Sequence, residues 1–211
     1  MNRRIGAGVA LVAASATVGA VVTTGALASF DSALMHLMSV AHTSPWLIEA
    51  VRLISKFGDL GVRGVAIMLV FAALLWRQRW RSGAVFLATV AVSIGGHTLA
   101  KLVWARERPR LVPWLDDPND LSFPSGHAAG SMVVLLLTAM LFDRWRLGGV
   151  AIALALAIGL TRPMLGVHWP TDIIGGWLWG AGFALIGAGV AQSMGLLDAR
   201  CLAKINAAPS E

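Results

Sequence analysis

Charged residues are scarce in this chain: 13% of its 211 residues are Asp, Glu, Lys or Arg, whereas 57% are hydrophobic. A soluble domain carries about 25% charged and roughly 45–50% apolar residues. Cysteine is nearly absent, and the single Cys201 excludes a disulfide within the chain. The formal net charge is +6, but the arginines cluster in short segments between apolar runs, where membrane proteins place them. This distribution argues against nucleic-acid binding.

The apolar residues form long uncharged runs, near the roughly 20 residues that span a bilayer. They predict an all-α, polytopic membrane protein with one domain over residues 1–211. Six transmembrane helices are predicted, at residues 5–29, 60–76, 83–103, 126–142, 147–167 and 173–197. Glycines in the last span would let helices pack closely in lipid, namely Gly175, Gly176, Gly180 and Gly187.

Six spans place both chain ends on one side of the membrane. Nine Lys and Arg residues then lie on that side and eight on the other, but three of the eight belong to the motifs described below. The clearest anchors are segments 77–81 and 143–146, which hold three and two arginines. Because cytoplasmic loops are enriched in Lys and Arg, residues 1–4 and 198–211 are predicted to be cytoplasmic. The motifs then face the extracytoplasmic side.

The N-terminal region imitates a signal peptide, since Arg3 and Arg4 precede an apolar stretch that ends in Ala26-Leu27-Ala28. Its uncharged run of 24 residues is longer than the roughly 7–15 of a signal-peptide core, so an uncleaved first span is predicted. Residues 30–58 are amphipathic and are expected at the extracytoplasmic membrane surface. They would form either a helix packed over the bundle or a flap over the lipid entrance.

The first of three polar stretches contains Lys101 and Arg108, followed by Pro109. Seven residues make two helical turns, so both cations are expected on one face at the end of the third span, where Pro109 would end the helix. The planar fork of an arginine matches phosphate oxygens, while a lysine acts as a point charge. Taken alone, such a pair more often anchors a helix end at the interface.

The second stretch is Pro124-Ser125-Gly126-His127, directly before an apolar run. It predicts a helix start with the proline in the first turn. Free N–H groups at Gly126 would form an anion site that the helix dipole reinforces, and the Ser125 hydroxyl would add a donor. His127 lies one residue further and could reach the same anion. A plain turn is the alternative.

The third stretch places His168 four residues before Asp172. A carboxylate at this spacing can accept the N–H of one imidazole nitrogen and leave the other nucleophilic. Pro170 between them indicates the first turn of the last span. Arg162 would approach from the end of the fifth span. The alternative is a His–Asp pair that only caps the last span.

Together the three stretches resemble the signature of the type 2 phosphatidic acid phosphatase superfamily of membrane lipid phosphatases. Their order and intervals fit, since 14 residues separate Pro109 from Pro124 and 33 separate His127 from Thr161. Thr161 stands where serine is usual in the family, and a hydroxyl is kept. The motifs cover a small part of the chain, and the six-span layout extends the resemblance over nearly all of it.

This resemblance implies a metal-independent phosphatase that hydrolyses the phosphate or diphosphate of a membrane lipid through a phosphohistidine. His168 would attack phosphorus, Asp172 would orient it, and His127 would protonate the leaving oxygen. Neither a metal nor another cofactor would be required, because fixed cations supply the positive charge. The groups that hold the phosphate would be Lys101, Arg108, Arg162, Ser125 and the Gly126 amide.

The short chain and minimal loops look like bacterial members of the family, which implies the bacterial cytoplasmic membrane. Substrates of such members include undecaprenyl diphosphate, phosphatidate and phosphatidylglycerol phosphate. A lipid phosphotransferase that uses the same phosphohistidine is the nearest alternative. A vanadate-dependent haloperoxidase shares the pocket chemistry, but those proteins are soluble and larger. A non-catalytic membrane protein with a relic anion site is the remaining alternative, and the sequence does not indicate an oligomeric state.

Three features near the motifs are interpreted as structural. Residues 116–120 spell D-D-x-x-D, which holds Mg²⁺-diphosphate in soluble prenyl synthases, but a proline interrupts the motif here and a solvated loop is expected. Arg106 and Arg110 flank the first motif and would either steer anionic substrates or lie in solvent. His97, one turn before Lys101, is expected to pack against a neighbouring helix.

Overall fold

The computed structural model describes residues 2–39, 42, 44–142 and 144–197. This part of the chain is all-helical, as predicted, and holds eight α-helices without a β-strand. They are α1 (Arg3–Thr23), α2 (Ala28–Met38), α3 (Pro45–Lys56), α4 (Leu60–Trp76), α5 (Trp80–Trp104), α6 (Gly126–Leu141), α7 (Trp145–Met164) and α8 (Pro170–Ser193). The tail predicted to be cytoplasmic, residues 198–211, lies outside the described residues.

A helix occupies each of the six predicted spans, at α1 and α4 to α8. Four of them, α1, α5, α7 and α8, are long and apolar enough to cross a membrane by themselves. Helix α4 passes the same test only together with α3, from which it is bent by 43°. Helix α6 has 16 residues and is shorter. The helices are those of a multi-pass membrane protein with four or five candidate spans, and the sixth stays a prediction.

The short helix α6 is central in the bundle. Seven consecutive residues, from Ala128 to Val134, are buried, so neighbouring helices cover every side of this segment. A helix enclosed in this way does not have to present about 20 apolar residues to lipid. Its length therefore follows from its position among the other helices.

Glycines bring α8 close to its neighbours, as predicted. A Cβ on Gly180 would lie 2.3 Å from the carbonyl oxygen of Ala129 in α6, and one on Gly176 would lie 2.8 Å from that of Ser125. On the other side of α8, Gly182 packs against Gly8 of α1. A Cβ on Gly8 would lie 2.6 Å from the carbonyl oxygen of Gly182. Small residues permit such backbone contacts between helices in lipid. They hold the first turn of α8 next to the first turn of α6.

The amphipathic segment forms two helices, α2 and α3, that pack over the bundle. Val51 of α3 is buried against Leu165 and Val167. In α2, both Met35 and Asp31 have no exposed surface. Full burial of an aspartate is rare unless the side chain is paired, and a helix lying in the membrane interface does not predict it. The packed helix, one of the two alternatives from the sequence, describes this segment.

Helix α5 ends earlier than its sequence predicts. Ala105 caps it in the left-handed conformation, with φ of 44°, and its N–H donates to the carbonyl of Lys101. The predicted two-turn helix from Lys101 to Arg108 is therefore wrong. A left-handed residue reverses the chain at a helix end, and here it does so before Pro109 is reached. Lys101 thus lies in the last turn of α5, whereas Arg106 and Arg108 lie in the irregular segment that follows.

Candidate active site

Six of the eight predicted site residues line one cavity of about 410 Å³. The cavity lies where α6 and α8 begin and where α5 and α7 end, so one end of the bundle carries the whole site. Ser125 and Asp172 do not line it, and both are fully buried in its wall. The six lining residues are Lys101, Arg108, Gly126, His127, Arg162 and His168.

His168 lies just before α8, which begins at Pro170, and only 2% of it is exposed. Its Nδ1 is 3.4 Å from Oδ2 of Asp172, the third residue of the helix. Burial lowers the pKa of His168 well below its usual value, and the nearby charges of Arg108, Lys101 and Arg162 lower it further. Both effects favour the neutral form of the imidazole.

The carboxylate of Asp172 accepts several hydrogen bonds next to the cavity. Its Oδ2 accepts the N–H of Trp169 at 2.9 Å and the hydroxyl of Ser122, and its Oδ1 is 2.6 Å from Nη1 of Arg106. The motifs did not point to Ser122 or Arg106. Arg106 is not the solvated or steering residue that was expected, because its side chain is 13% exposed and pairs with two buried carboxylates. Arg110, by contrast, is exposed.

Two of the cations share one carboxylate. Nζ of Lys101 is 3.0 Å from Oδ2 of Asp120, and the guanidinium of Arg108 binds the other oxygen of the same side chain. Arg108 also donates to the carbonyl of Val167, the residue before His168. Although Arg108 lies outside the helix, it therefore reaches the same place as Lys101.

Arg162 brings the third cation from α7. Its Nη2 is 2.7 Å from Oδ2 of Asp116, and its Nη1 donates to the Ser55 hydroxyl at 2.7 Å. Among the described residues, its Nε has no hydrogen-bond partner although it is buried. Thr161, the departure from the family pattern, donates to the Ile158 carbonyl within its own helix.

The acidic segment 116–120 is an exposed loop, as predicted, but two of its carboxylates pair with the cavity cations. Burial by itself would raise the pKa of Asp120, but the charge of Lys101, its hydrogen bond and Arg108 outweigh burial and hold that pKa below its usual range. Arg162 likewise outweighs burial at Asp116 and holds the pKa of that carboxyl below its usual range. A cluster of three cations attracts nearby carboxylates, which the loop's sequence alone could not show. In the part of the chain that the structure describes, no three His, Cys, Asp or Glu side chains come close enough to hold a metal ion.

The start of α6 supplies neutral donors. Ser125 is the N-cap, so Pro124 precedes the helix and is not in its first turn as predicted. The Ser125 hydroxyl is buried, and within the described residues it has no hydrogen-bond partner. Leaving a buried donor unpaired costs about 1–3 kcal/mol. This hydroxyl and the free N–H groups of the first helical turn are suited to an anion.

His127 and His97 complete the cavity wall. Nε2 of His127 is 2.9 Å from Oδ1 of Asp59, a residue just before α4 that the motifs did not indicate. Arg63 in α4 donates to the carbonyls of Gly58 and Gly126, each at 3.0 Å, and so ties α4 to the start of α6. Nε2 of His97 lies 3.2 Å from the Pro124 carbonyl oxygen, just before α6, so this histidine contacts the segment that carries Ser125 and Gly126.

A buried histidine beside a carboxylate, three cations at one cavity, and unpaired N–H and O–H donors at the start of the adjoining helix α6 are suited to a phosphoryl group. The family model described as the PAP2 superfamily matches residues 82–193, which include all eight predicted site residues. The chain belongs to this superfamily, and the predicted resemblance is confirmed.

Comparison with individual proteins gives similarity to several lipid phosphatases. Over 76 residues the chain is 43% identical to the lipid A 1-phosphatase of Rhizobium johnstonii, a match to 36% of this chain and 30% of that protein. Over 139 residues it is 32% identical to the undecaprenyl-diphosphatase of Sulfolobus acidocaldarius, which covers 61% of this chain and 63% of that one. The chain thus matches less than two thirds of the length of these curated relatives.

The fold is similar to a crystal structure of a transmembrane PAP2 type phosphatidylglycerolphosphate phosphatase from Bacillus subtilis. The TM-score is 0.80 at 24% sequence identity, and the match covers 89% of this chain and 96% of that one. At this level of identity the likeness concerns the fold.

Proposed function

We propose that this chain hydrolyses the phosphate ester or diphosphate bond of a membrane lipid, with His168 as the nucleophile. The observation that carries the proposal is the meeting of His168, His127 and three cations in one cavity. These groups come from four separate parts of the chain, and each has a distinct part in phosphoryl transfer. A site that only anchors helices would not need a neutral, buried histidine beside three cations.

Substrate binding begins with an exchange of anions. The side chains of Asp116 and Asp120 are 44% and 58% exposed, so both can swing out of the cavity. A lipid phosphate then takes their place on Lys101, Arg108 and Arg162. Ser125 and the first N–H groups of α6 add donors to the same phosphate, since a helix N-terminus favours negative charge.

The chemical step is an in-line displacement at phosphorus. Nδ1 of His168 faces Asp172, so Nε2 attacks and forms an N–P bond while the bond from phosphorus to the lipid oxygen breaks. His127 gives its proton to that oxygen, and Asp172 stabilises the charge on the imidazole of His168. A water molecule then gives a proton to His127, attacks the phosphohistidine and releases inorganic phosphate. Positioning and electrostatic stabilisation supply most of the catalysis in such transfers.

We also propose six spans with the site at the extracytoplasmic surface of the cytoplasmic membrane. The arginine-rich segment 77–81 lies at the opposite end of the bundle from the cavity. There, Arg79 donates to the carbonyls of Leu141, the last residue of α6, and Leu196, three residues after the end of α8, at 2.7 and 2.8 Å. Because cytoplasmic segments are enriched in arginine, this arrangement supports a cavity at the outer surface.

A labelling experiment tests this orientation. In a Cys201→Ser background, Asp117→Cys and Gln78→Cys place thiols at exposed positions at the cavity end and the opposite end. A membrane-impermeant maleimide applied to intact cells should label the first variant and not the second. The reverse pattern contradicts the proposed orientation.

The residues of the cavity bind phosphate and do not contact a lipid tail, so an activity assay is needed to identify the lipid substrate. Inorganic phosphate release is measured with detergent-purified protein in EDTA, from undecaprenyl diphosphate, phosphatidate, phosphatidylglycerol phosphate and lipid A, with His168→Ala as the blank. Release that the variant lacks supports the hydrolase. Transfer of phosphate to an added acceptor lipid, without release of inorganic phosphate, favours the phosphotransferase, and no turnover of any substrate contradicts the proposal.

A further inference from the structure

Behind the cavity wall, one arginine and two buried aspartates form a continuous chain of charges. Nη1 of Arg106 is 2.6 Å from Oδ1 of Asp172, and Nη2 of the same guanidinium is 2.6 Å from Oδ2 of Asp31. Both carboxylates have no exposed surface. Arg106 does not line the cavity, and the two outer nitrogens of its guanidinium are taken by these carboxylates. It is therefore placed to act on Asp172 and not on a phosphate.

Asp31 belongs to α2, far from the motifs in sequence, but it binds the first turn of α8. Its Oδ1 accepts the N–H of Thr171 at 3.0 Å, and its Oδ2 accepts the Thr171 hydroxyl at 2.7 Å. Arg106 also donates to that hydroxyl at 2.8 Å. A carboxylate at this position satisfies a free N–H of the helix start and is favoured by the helix dipole. Asp31 thus holds both Arg106 and the turn that carries Asp172.

The two oxygens of Asp172 have different tasks in this arrangement. Arg106 occupies Oδ1, which leaves Oδ2 for Ser122, the Trp169 N–H and Nδ1 of His168. A buried charge that loses its partner is strongly unfavourable, so the carboxylate would reorganise without Arg106. The contact to His168 is the longest of the four, at 3.4 Å, and is the one that a small rotation would break.

We propose that Arg106 and Asp31 are positioning residues for the nucleophile, acting through Asp172 on His168. The inference rests on the proposed function and adds α2 to the machinery of the site. The order of action is Asp31 to Arg106 to Asp172 to His168, and each link is a hydrogen bond or ion pair between side chains of which at least one is fully buried. Arg106 is not a fourth phosphate-binding cation.

The test compares steady-state kinetics of Arg106→Gln, Arg106→Lys and Asp31→Asn with those of the wild type. Because a misplacement of about 1 Å in a reacting group can lower the rate about 100-fold, we expect Arg106→Gln to lower kcat about 100-fold. KM and the inhibition constant of inorganic phosphate should stay within about threefold, since the cavity cations are unchanged. Lysine cannot bridge two carboxylates as a guanidinium does, so Arg106→Lys should recover only part of the loss. Arg110→Gln, at an exposed neighbouring arginine, is the matched control.

A double substitution shows whether the effect passes through Asp172. If it does, adding Arg106→Gln to an Asp172→Asn variant should lower the single-turnover rate constant less than about threefold. A purely structural role predicts instead that kcat per folded molecule is unchanged while thermal stability falls. Asp31→Asn, which keeps the shape of the side chain, repeats the comparison should Arg106→Gln fail to fold.

Three outcomes overturn the inference. They are a raised KM with unchanged kcat, an equal loss in the presence and absence of Asp172→Asn, and a kcat within threefold of the wild type for both Arg106→Gln and Asp31→Asn. The proposed function fails separately, when the wild-type protein itself releases no phosphate from any substrate. The two failures are therefore distinguishable.

Discussion

Asp120 provides a direct test of the anion exchange proposed for substrate binding. Its carboxylate bridges Lys101 and Arg108, which are also the cations proposed to hold the phosphate. In an Asp120→Asn variant the side chain keeps its shape but no longer competes as an anion. We therefore expect the variant to bind substrate more tightly, with a lower KM and a similar kcat.

The size of the effect follows from the exposure of Asp120. Its side chain is 58% exposed, so each of its two ion pairs is screened and is worth about 0.2–1 kcal/mol. The two pairs together contribute about 1 kcal/mol, which corresponds to a roughly fivefold lower KM. Lys101 and Arg108 hold the pKa of Asp120 below its usual range despite burial. Asp120 is therefore ionised throughout pH 5 to 8, and the difference in KM should persist over that range.

The assay is phosphate release as a function of substrate concentration, in EDTA, for the wild type, Asp120→Asn and Asp117→Asn. Asp117 is an exposed carboxylate in the same segment and controls for the loss of one negative charge near the cavity. An equal change in both variants would trace the effect to overall charge. A KM for Asp120→Asn that is unchanged or higher would refute the exchange and show that Asp120 helps to arrange the cations.

Four further outcomes are expected. His168→Ala should lower turnover by several orders of magnitude, because no other group can form the covalent intermediate; full activity would rule out this nucleophile. His127→Ala should slow substrates with poor leaving groups more than those with good ones, and equal losses across the series would contradict its role as the acid. Activity should survive EDTA, and activity that EDTA abolishes and Mg²⁺ restores would contradict a mechanism based on fixed cations. Gly180→Ala should lower the unfolding midpoint in detergent by an amount corresponding to about 1–3 kcal/mol, because its Cβ would lie 2.3 Å from the Ala129 carbonyl oxygen. Gly95→Ala is the control and should not lower the midpoint, because the space around Gly95 is open.

The motifs predicted the polar groups of the cavity well but their local conformation less well. Lys101, Arg108 and Arg162 do line one cavity, although the helical argument for the first two is wrong because α5 ends at Trp104. A left-handed alanine has no signal in the sequence, since glycine is the residue that usually marks such a cap. The prediction reached the right place for Arg108 because the residue types, and not the helical spacing, determine what binds phosphate.

The partners of the motif residues could not be predicted. Asp31, Asp59 and Asp120 come from α2, from the turn before α4 and from a loop, and no spacing rule connects them to His127, His168 or Lys101. The D-D-x-x-D segment is an exposed loop, as predicted, but its ion pairs were not predicted, because the attraction between its carboxylates and three cations appears only when those cations lie together. The role of Arg106, steering or solvated, was left open for the same reason, because its two carboxylate partners come from distant segments.

By itself the sequence determined the class of this protein and the chemistry of its site. Long apolar runs need a membrane, and three cations beside two histidines and an aspartate suit a phosphoryl group. Only the tertiary structure decided which charges pair, which helices meet at glycines, and that a buried aspartate in α2 binds the turn of α8 that carries Asp172. Periodicity and motifs are local properties of the chain, whereas ion pairs between distant segments depend on packing that brings them within a few ångströms.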